Sequence, residues 1–113
     1  MAVTIYHNPR CGKSRGTLAL LRERGIEPLV IEYLTCPPSA EQLKQILILL
    51  GMSPRELLRR KEAKEAGLDD PNLSDQALIA GMAANPVVIE RPIVIKDGKA
   101  ALGRPPEKVL EIL

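Results

Sequence analysis

The chain contains no phenylalanine and no tryptophan, and only two of its 113 residues are tyrosine. Its core must therefore be built mainly from aliphatic side chains, and the aromatic platforms on which single-stranded nucleic acids stack are missing. Charge of one sign is lacking too: 16 Lys and Arg stand against 14 Asp and Glu, a formal net charge of +2. Proteins that live on nucleic-acid phosphates usually carry a clear basic excess, so no nucleic-acid partner is expected. The longest apolar run, Ile46 to Leu50, falls far short of the roughly 20 residues that cross a bilayer. The opening Met1-Ala2-Val3-Thr4-Ile5-Tyr6 has neither a basic region nor a long apolar one, so neither a secretory signal nor a membrane partner is expected. Two cysteines far apart, Cys11 and Cys36, do not make a disulfide scaffold. With one histidine they also cannot supply the roughly four ligands of a zinc site. The expectation is a cytoplasmic, reducing location.

What is present is ordinary for a globular protein, with 45% hydrophobic and 27% charged residues and a length suited to one small domain. No Gly/Ser linker, repeat or low-complexity tract interrupts it. Val3 to Tyr6 is β-prone and ends at the Asn8-Pro9 turn signal. Gly12 to Arg24 has helical spacing, with Leu18 and Leu21 on one face and Gly25 as the C-terminal cap. Leu29, Val30 and Ile31 form a second short strand. Strand, helix and strand in succession predict a βαβ unit with parallel strands and a right-handed crossover.

Ser39 and Gln42 have the spacing of a capping box and open a helix that runs to Leu50, with Gly51 as its stop. Leu43, Ile46, Leu47 and Leu50 form its buried stripe. Ser53-Pro54-Arg55-Glu56 is a second capping box with proline at the first helical position, predicting another helix. The polar stretch Lys61 to Asp70 leads to a third helix, about Ser74 to Ala84, stopped by Asn85-Pro86. Pro92 to Ile95 is a strand, Asp97-Gly98 a hairpin turn into Ala100 to Gly103, and a last helix follows Pro105-Pro106. The pattern predicts an α/β, thioredoxin-like fold over residues 1–113. It would have a small mixed four-stranded sheet flanked by helices and a helical insert, about 39–85, before the C-terminal β-hairpin.

The chemistry concentrates in His7-Asn8-Pro9-Arg10-Cys11-Gly12-Lys13-Ser14. Cys11 falls where a strand's carboxyl end meets the next helix, and there unpaired amides and the helix dipole favour an anion. A thiolate so placed has a depressed pKa and is nucleophilic at neutral pH. Arg10 and Lys13 add positive charge, Gly12 leaves room for another molecule to approach, and the Ser14 hydroxyl can donate to the thiolate or to an oxyanion beside it. His7 either stabilises the thiolate electrostatically or hydrogen-bonds backbone at the strand end. Because Ser14 replaces the second cysteine of a Cys-x-x-Cys pair, any redox cycle needs a thiol from elsewhere. Cys36, before Pro37-Pro38, is the only internal candidate, and spacing does not bring it to Cys11. A phosphatase-type Cys-x5-Arg loop is excluded by Thr17. Arg59, Arg91 and Arg104 stand out by context, since a guanidinium fork suits tetrahedral oxyanions.

Taken together, five ordered blocks resemble the glutaredoxin-coupled arsenate reductase (ArsC) family over essentially the whole chain. They are Ile5-Tyr6-His7-Asn8-Pro9 before Cys11, Tyr33-Leu34 with Pro37-Pro38-Ser39, Leu57-Leu58-Arg59, Arg91-Pro92-Ile93-Val94, and Arg104-Pro105. The resemblance implies that Cys11 attacks arsenate and forms a thiol-linked ester. Arg59, Arg91 and Arg104 would hold the oxyanion, His7 would help depress the cysteine pKa, and Ser14 would hydrogen-bond the thiolate. Glutathione would join as co-substrate, with no tightly bound cofactor or metal, and glutaredoxin would release it before arsenite leaves. A cis Arg91-Pro92 bond is also implied, its proline facing Cys11. The chain departs from better-known members at Arg10 and Lys13, and its region between Lys61 and Ser74 is shorter. Two other functions fit the same residues: a glutathione-dependent thiol reductase of a different substrate, and an Spx-like regulator that binds RNA polymerase. Regulators of the latter type commonly use the Cys-x-x-Cys that Ser14 removes. No heptad or other dimerisation stripe is evident, so a monomer is expected.

Overall fold

The computed structural model describes residues 2–113. Contacts divide the chain into two units: the residues up to Cys36 together with Arg91–Leu113, and Pro37–Glu90.

The first unit is a four-stranded mixed sheet with helical turns on one face. Its strands are β1 (Val3–His7), β2 (Leu29–Glu32), β3 (Ile93–Lys96) and β4 (Lys99–Leu102), in the order β2-β1-β3-β4. β1 and β2 run parallel, joined through helix α1 (Gly12–Glu23), while β3 is antiparallel to both β1 and β4. The register is set with Ile5 opposite Val30 and Val94. Alternation along β1 puts Val3 and Ile5 on one face, where they meet Leu21 of α1, Val94 of β3 and Val109 in an aliphatic core. Both tyrosines, Tyr6 and Tyr33, are buried as well. Asp97 and Gly98, both at positive φ (50° and 74°), close the β3–β4 hairpin, as the Asp-Gly pair predicts.

Two features of this unit differ from the sequence expectation. β1 is one residue longer and carries His7 inside the sheet, paired with Glu32. The segment after Pro105-Pro106 is a 3-10 helix, Pro106–Ile112, rather than an α-helix. It is anchored by buried Val109, with Ile112 and Leu113 packed on the same core. The Arg91-Pro92 bond is cis, as is Arg104-Pro105.

The second unit is helical. α2 (Ala40–Leu50) starts at a complete Ser39/Gln42 capping box and ends at Gly51, whose φ of 67° is the left-handed conformation that glycine adopts without strain. Leu43, Ile46 and Leu47 are buried and Leu50 half-buried. α4 (Asp75–Ala84) is capped by the Ser74 side chain and packs against α2. The second capping box also forms, Ser53 N–H donating to Glu56 Oε1 at 2.9 Å. It nucleates only a 3-10 turn, Arg55–Leu57. Leu58 then turns extended and bridges Ile89, and a short helix α3 (Arg60–Glu65) occupies what the sequence suggested was a polar connection. Among the described residues no helix is long and apolar enough to cross a membrane.

Candidate active site

β1 ends at His7 and α1 begins at Gly12, leaving Asn8 to Cys11 as the turn between them. Asn8 is buried and holds that turn twice. Its Oδ1 accepts the Arg10 N–H at 3.0 Å, and its carbonyl accepts the Cys11 N–H at 3.0 Å. Arg15 Nη1 donates to the Pro9 carbonyl at 3.0 Å. Cys11 therefore arrives at the N-cap of α1 in extended conformation (φ −92°, ψ 124°), half-buried and unbridged.

Burial of the sulfur favours the neutral thiol. The Ser14 N–H, the Arg91 side chain, the Lys13 N–H and the Arg91 charge favour the thiolate, and the balance holds the Cys11 pKa below its ordinary value. The two N–H groups belong to the first turn of α1, where helix donors have no intrahelical partner. Arg10 and Lys13 side chains are exposed, and Lys13 acts on the sulfur through its main chain rather than its ammonium. Gly12 is exposed, and a Cβ there would meet only Arg15 Nη2, at 3.9 Å. The space over Gly12, the residue next to Cys11, is open.

His7 and Ser14 take a different arrangement from the one expected. Ser14 is fully buried, and its hydroxyl is occupied by His7 Nδ1 at 2.6 Å and by the Asn8 N–H, which donates to it at 3.0 Å. The group of Ser14 that faces the thiolate is its backbone N–H. Burial lowers the His7 pKa; Glu32 opposes that, while Arg22 and Arg15 reinforce it. The His7–Ser14 hydrogen bond ties the end of β1 to the first turn of α1.

Of the three arginines, Arg91 reaches Cys11 as just described. Arg104 donates from Nη1 to the Arg91 carbonyl at 3.1 Å, so its guanidinium lies against the same corner. Arg59 belongs to the second unit. Its Nε donates to Glu62 Oε1 at 3.3 Å and its Nη1 to Glu90 Oε2 at 3.4 Å. Main-chain bonds from Arg59 N–H to the Val88 carbonyl and from Glu90 N–H to the Leu57 carbonyl, each 2.8 Å, hold these segments together. Cys36 is exposed in the turn after β2. Among the described residues no cluster of three or more His, Cys, Asp or Glu side chains is placed to hold a metal ion. Sequence reasoning missed Asn8 as more than a turn former, and it missed Thr17 and Gly103, both buried near this corner.

A thioredoxin-like sheet with a cysteine at the N-terminus of its first helix, and an arginine before a cis-proline beside it, defines a thiol-chemistry domain. The chain belongs to the ArsC family, which it matches over residues 6–112. It is 57% identical over 114 residues to Uncharacterized protein YfgD of Escherichia coli (strain K12), covering 98% of this chain and 96% of that one. To an arsenate reductase of Neisseria meningitidis serogroup A the identity is 49% over 114 residues, with 98% and 97% covered. Among solved structures, an arsenate reductase from Vibrio cholerae superposes with a TM-score of 0.96 at 55% identity, covering 100% of this chain and 98% of that one.

Proposed function

We propose that the protein is an arsenate reductase that uses Cys11 as its nucleophile and draws electrons from glutathione and glutaredoxin. The observation that carries this reading is the half-buried Cys11 sulfur, faced by the Ser14 and Lys13 N–H groups and by Arg91, with the exposed Gly12 next to it. The similar proteins named arsenate reductases supply the substrate. In this cycle the thiolate adds to the arsenic of arsenate, an As–O bond breaks, and the oxygen leaves as water from a thiol-linked ester. Arg91 and Arg104 offset the oxyanion charge that otherwise repels the thiolate. Well-placed donors of this kind are commonly worth about 3 kcal/mol each. Glutathione then joins the adduct through a new As–S bond, and a second oxygen leaves as water. A glutaredoxin thiol attacks the glutathione sulfur, and the mixed disulfide forms as that As–S bond breaks. Its electron pair stays on arsenic and takes it from arsenic(V) to arsenic(III), and hydrolysis of the remaining Cys11–As bond releases arsenite. Ser14 offers no resolving thiol, so the second thiol comes from outside. His7 and Ser14 act by holding the first turn of α1. The reaction needs no bound metal or cofactor, suits a monomer, and belongs in the cytoplasm, where reduced thiols are plentiful.

The test is arsenite production from arsenate with glutathione and glutaredoxin, for wild type and Cys11→Ser side by side. Turnover in the wild type and its loss in the variant are expected. Undiminished turnover by Cys11→Ser would sink the nucleophile. A folded wild type that does not turn over arsenate, yet whose Cys11 alkylates fast at neutral pH, would remove arsenate as substrate; deglutathionylation of a mixed disulfide would be assayed next.

A further inference from the structure

Gly103 follows β4 and is buried where no side chain fits. A Cβ built on it would collide with Thr17 Oγ1, and would stand 2.8 Å from Pro92 Cγ and 3.1 Å from Thr17 Cγ2. Real Cβ atoms do not approach so closely, so the glycine is required here for space. The two residues nearest to that Cβ position belong to the two halves of the thiol site. Thr17 is fully buried in α1, and its hydroxyl donates to the Lys13 carbonyl at 2.8 Å, one turn back toward Cys11. Pro92 follows the arginine that faces the sulfur. Gly103 and its neighbour also clasp that corner directly. The Gly103 N–H donates to the Pro92 carbonyl at 3.0 Å, and Arg104 Nη1 donates to the Arg91 carbonyl at 3.1 Å.

We propose that Gly103 is a positioning residue of the thiol site: the close seat of its Cα between Thr17 and Pro92 sets the spacing between the α1 N-terminus, which carries Cys11, and the Arg91-Pro92 corner. Any side chain at 103 wedges the two apart. The sulfur keeps the Ser14 and Lys13 N–H groups, which move with α1, and loses Arg91, which faces it from outside the helix. This deepens the proposed function only in its thiolate part and needs nothing of arsenate.

The experiment is the rate of Cys11 alkylation by iodoacetamide against pH, in a Cys36→Ser background so that only Cys11 reports. Wild type, Gly103→Ala and the double variant Gly103→Ala/Thr17→Ala are compared, each with its thermal unfolding midpoint. In Gly103→Ala the pH midpoint moves up, and alkylation at neutral pH slows by roughly three- to tenfold, since reactivity follows the thiolate fraction. The double variant removes the Thr17 contacts and leaves only Pro92 to give way. It folds where the single variant is strained, and its midpoint falls between the other two. A folded variant that loses thermal stability with the wild-type pH midpoint unchanged would make Gly103 a packing residue only and overturn the proposal. A wild-type midpoint at the ordinary thiol value would instead overturn the thiolate reading itself.

Discussion

At Cys11 two opposed effects meet. Burial works against ionisation, and three donors with one guanidinium charge work for it, with the latter prevailing. Arg91 supplies two of the favourable contributions, a hydrogen bond and a charge, while the helix supplies the others. Arg91→Ala should therefore raise the Cys11 pKa and slow alkylation at neutral pH by up to about tenfold, since reactivity follows the thiolate fraction. Arg91→Lys should recover part of the loss, since it keeps the charge without the fork. The pH midpoint of alkylation checks both; an unchanged midpoint in Arg91→Ala would assign the thiolate to the helix alone. The position of Cys11 at a strand-to-helix junction was legible from spacing. The Ser14 arrangement was not: one helical turn places a hydroxyl near the sulfur, but spacing does not decide between the sulfur and His7. Once the hydroxyl goes to His7, the backbone N–H is left for the thiolate.

At the scale of elements, local signals were reliable where packing agreed with them. Ser39, Gln42 and Gly51 mark α2 from end to end, and the helix forms over the expected span because Leu43, Ile46 and Leu47 bury the face between the caps. Ser39→Ala removes an N-cap acceptor and should cost about 1 kcal/mol, read as a lowered free energy of urea unfolding at unchanged slope. A cost below a few tenths would mean that the capping box adds little beyond the buried stripe. Ser53 and Glu56 form the same box, yet it leads nowhere, because Leu57 and Leu58 are more useful buried with Leu58 bridged to Ile89. Tertiary pairing thus overrides a correct local start. α3 went unread because charge dominates its sequence and Ala63 is its only buried residue. Its terminus did leave a trace in Gly67-Leu68: Gly67 takes φ +74°, and the Leu68 N–H closes back on the Ala63 carbonyl at 2.8 Å, a common helix ending.

For the molecule as a whole, the parallel β1–α1–β2 unit and the Asp97-Gly98 hairpin follow from short-range signals. The antiparallel seam that joins β1 to β3 could be inferred only from the overall pattern and the family resemblance. That closure brings the Arg91 end of β3 to Cys11, while pairing with Glu32 of β2 puts His7 inside the sheet, and the two groups give the fold a pH dependence of definite sign. His7 has a folded pKa below its unfolded value of about 6.5. As pH falls below that value the unfolded chain takes up a proton that the folded chain refuses, so stability declines. Cys11 is depressed as well, and in the interval below its unfolded value of about 8.5 the unfolded chain again holds the extra proton. Both groups make stability rise with pH, one across the mildly acidic range and the other on the alkaline side of neutrality. Urea unfolding at pH 5.5, 7 and 8.5 should show a steady increase. His7→Gln, which keeps a hydrogen-bonding side chain without the titration, should flatten the acidic limb, and Cys11→Ser should flatten the alkaline limb. If His7→Gln left the acidic limb as steep as in the wild type, the buried neutral imidazole would not be its cause. The proton uptake would then belong to carboxylates, which titrate lower still and would steepen the curve toward pH 4 rather than near 6.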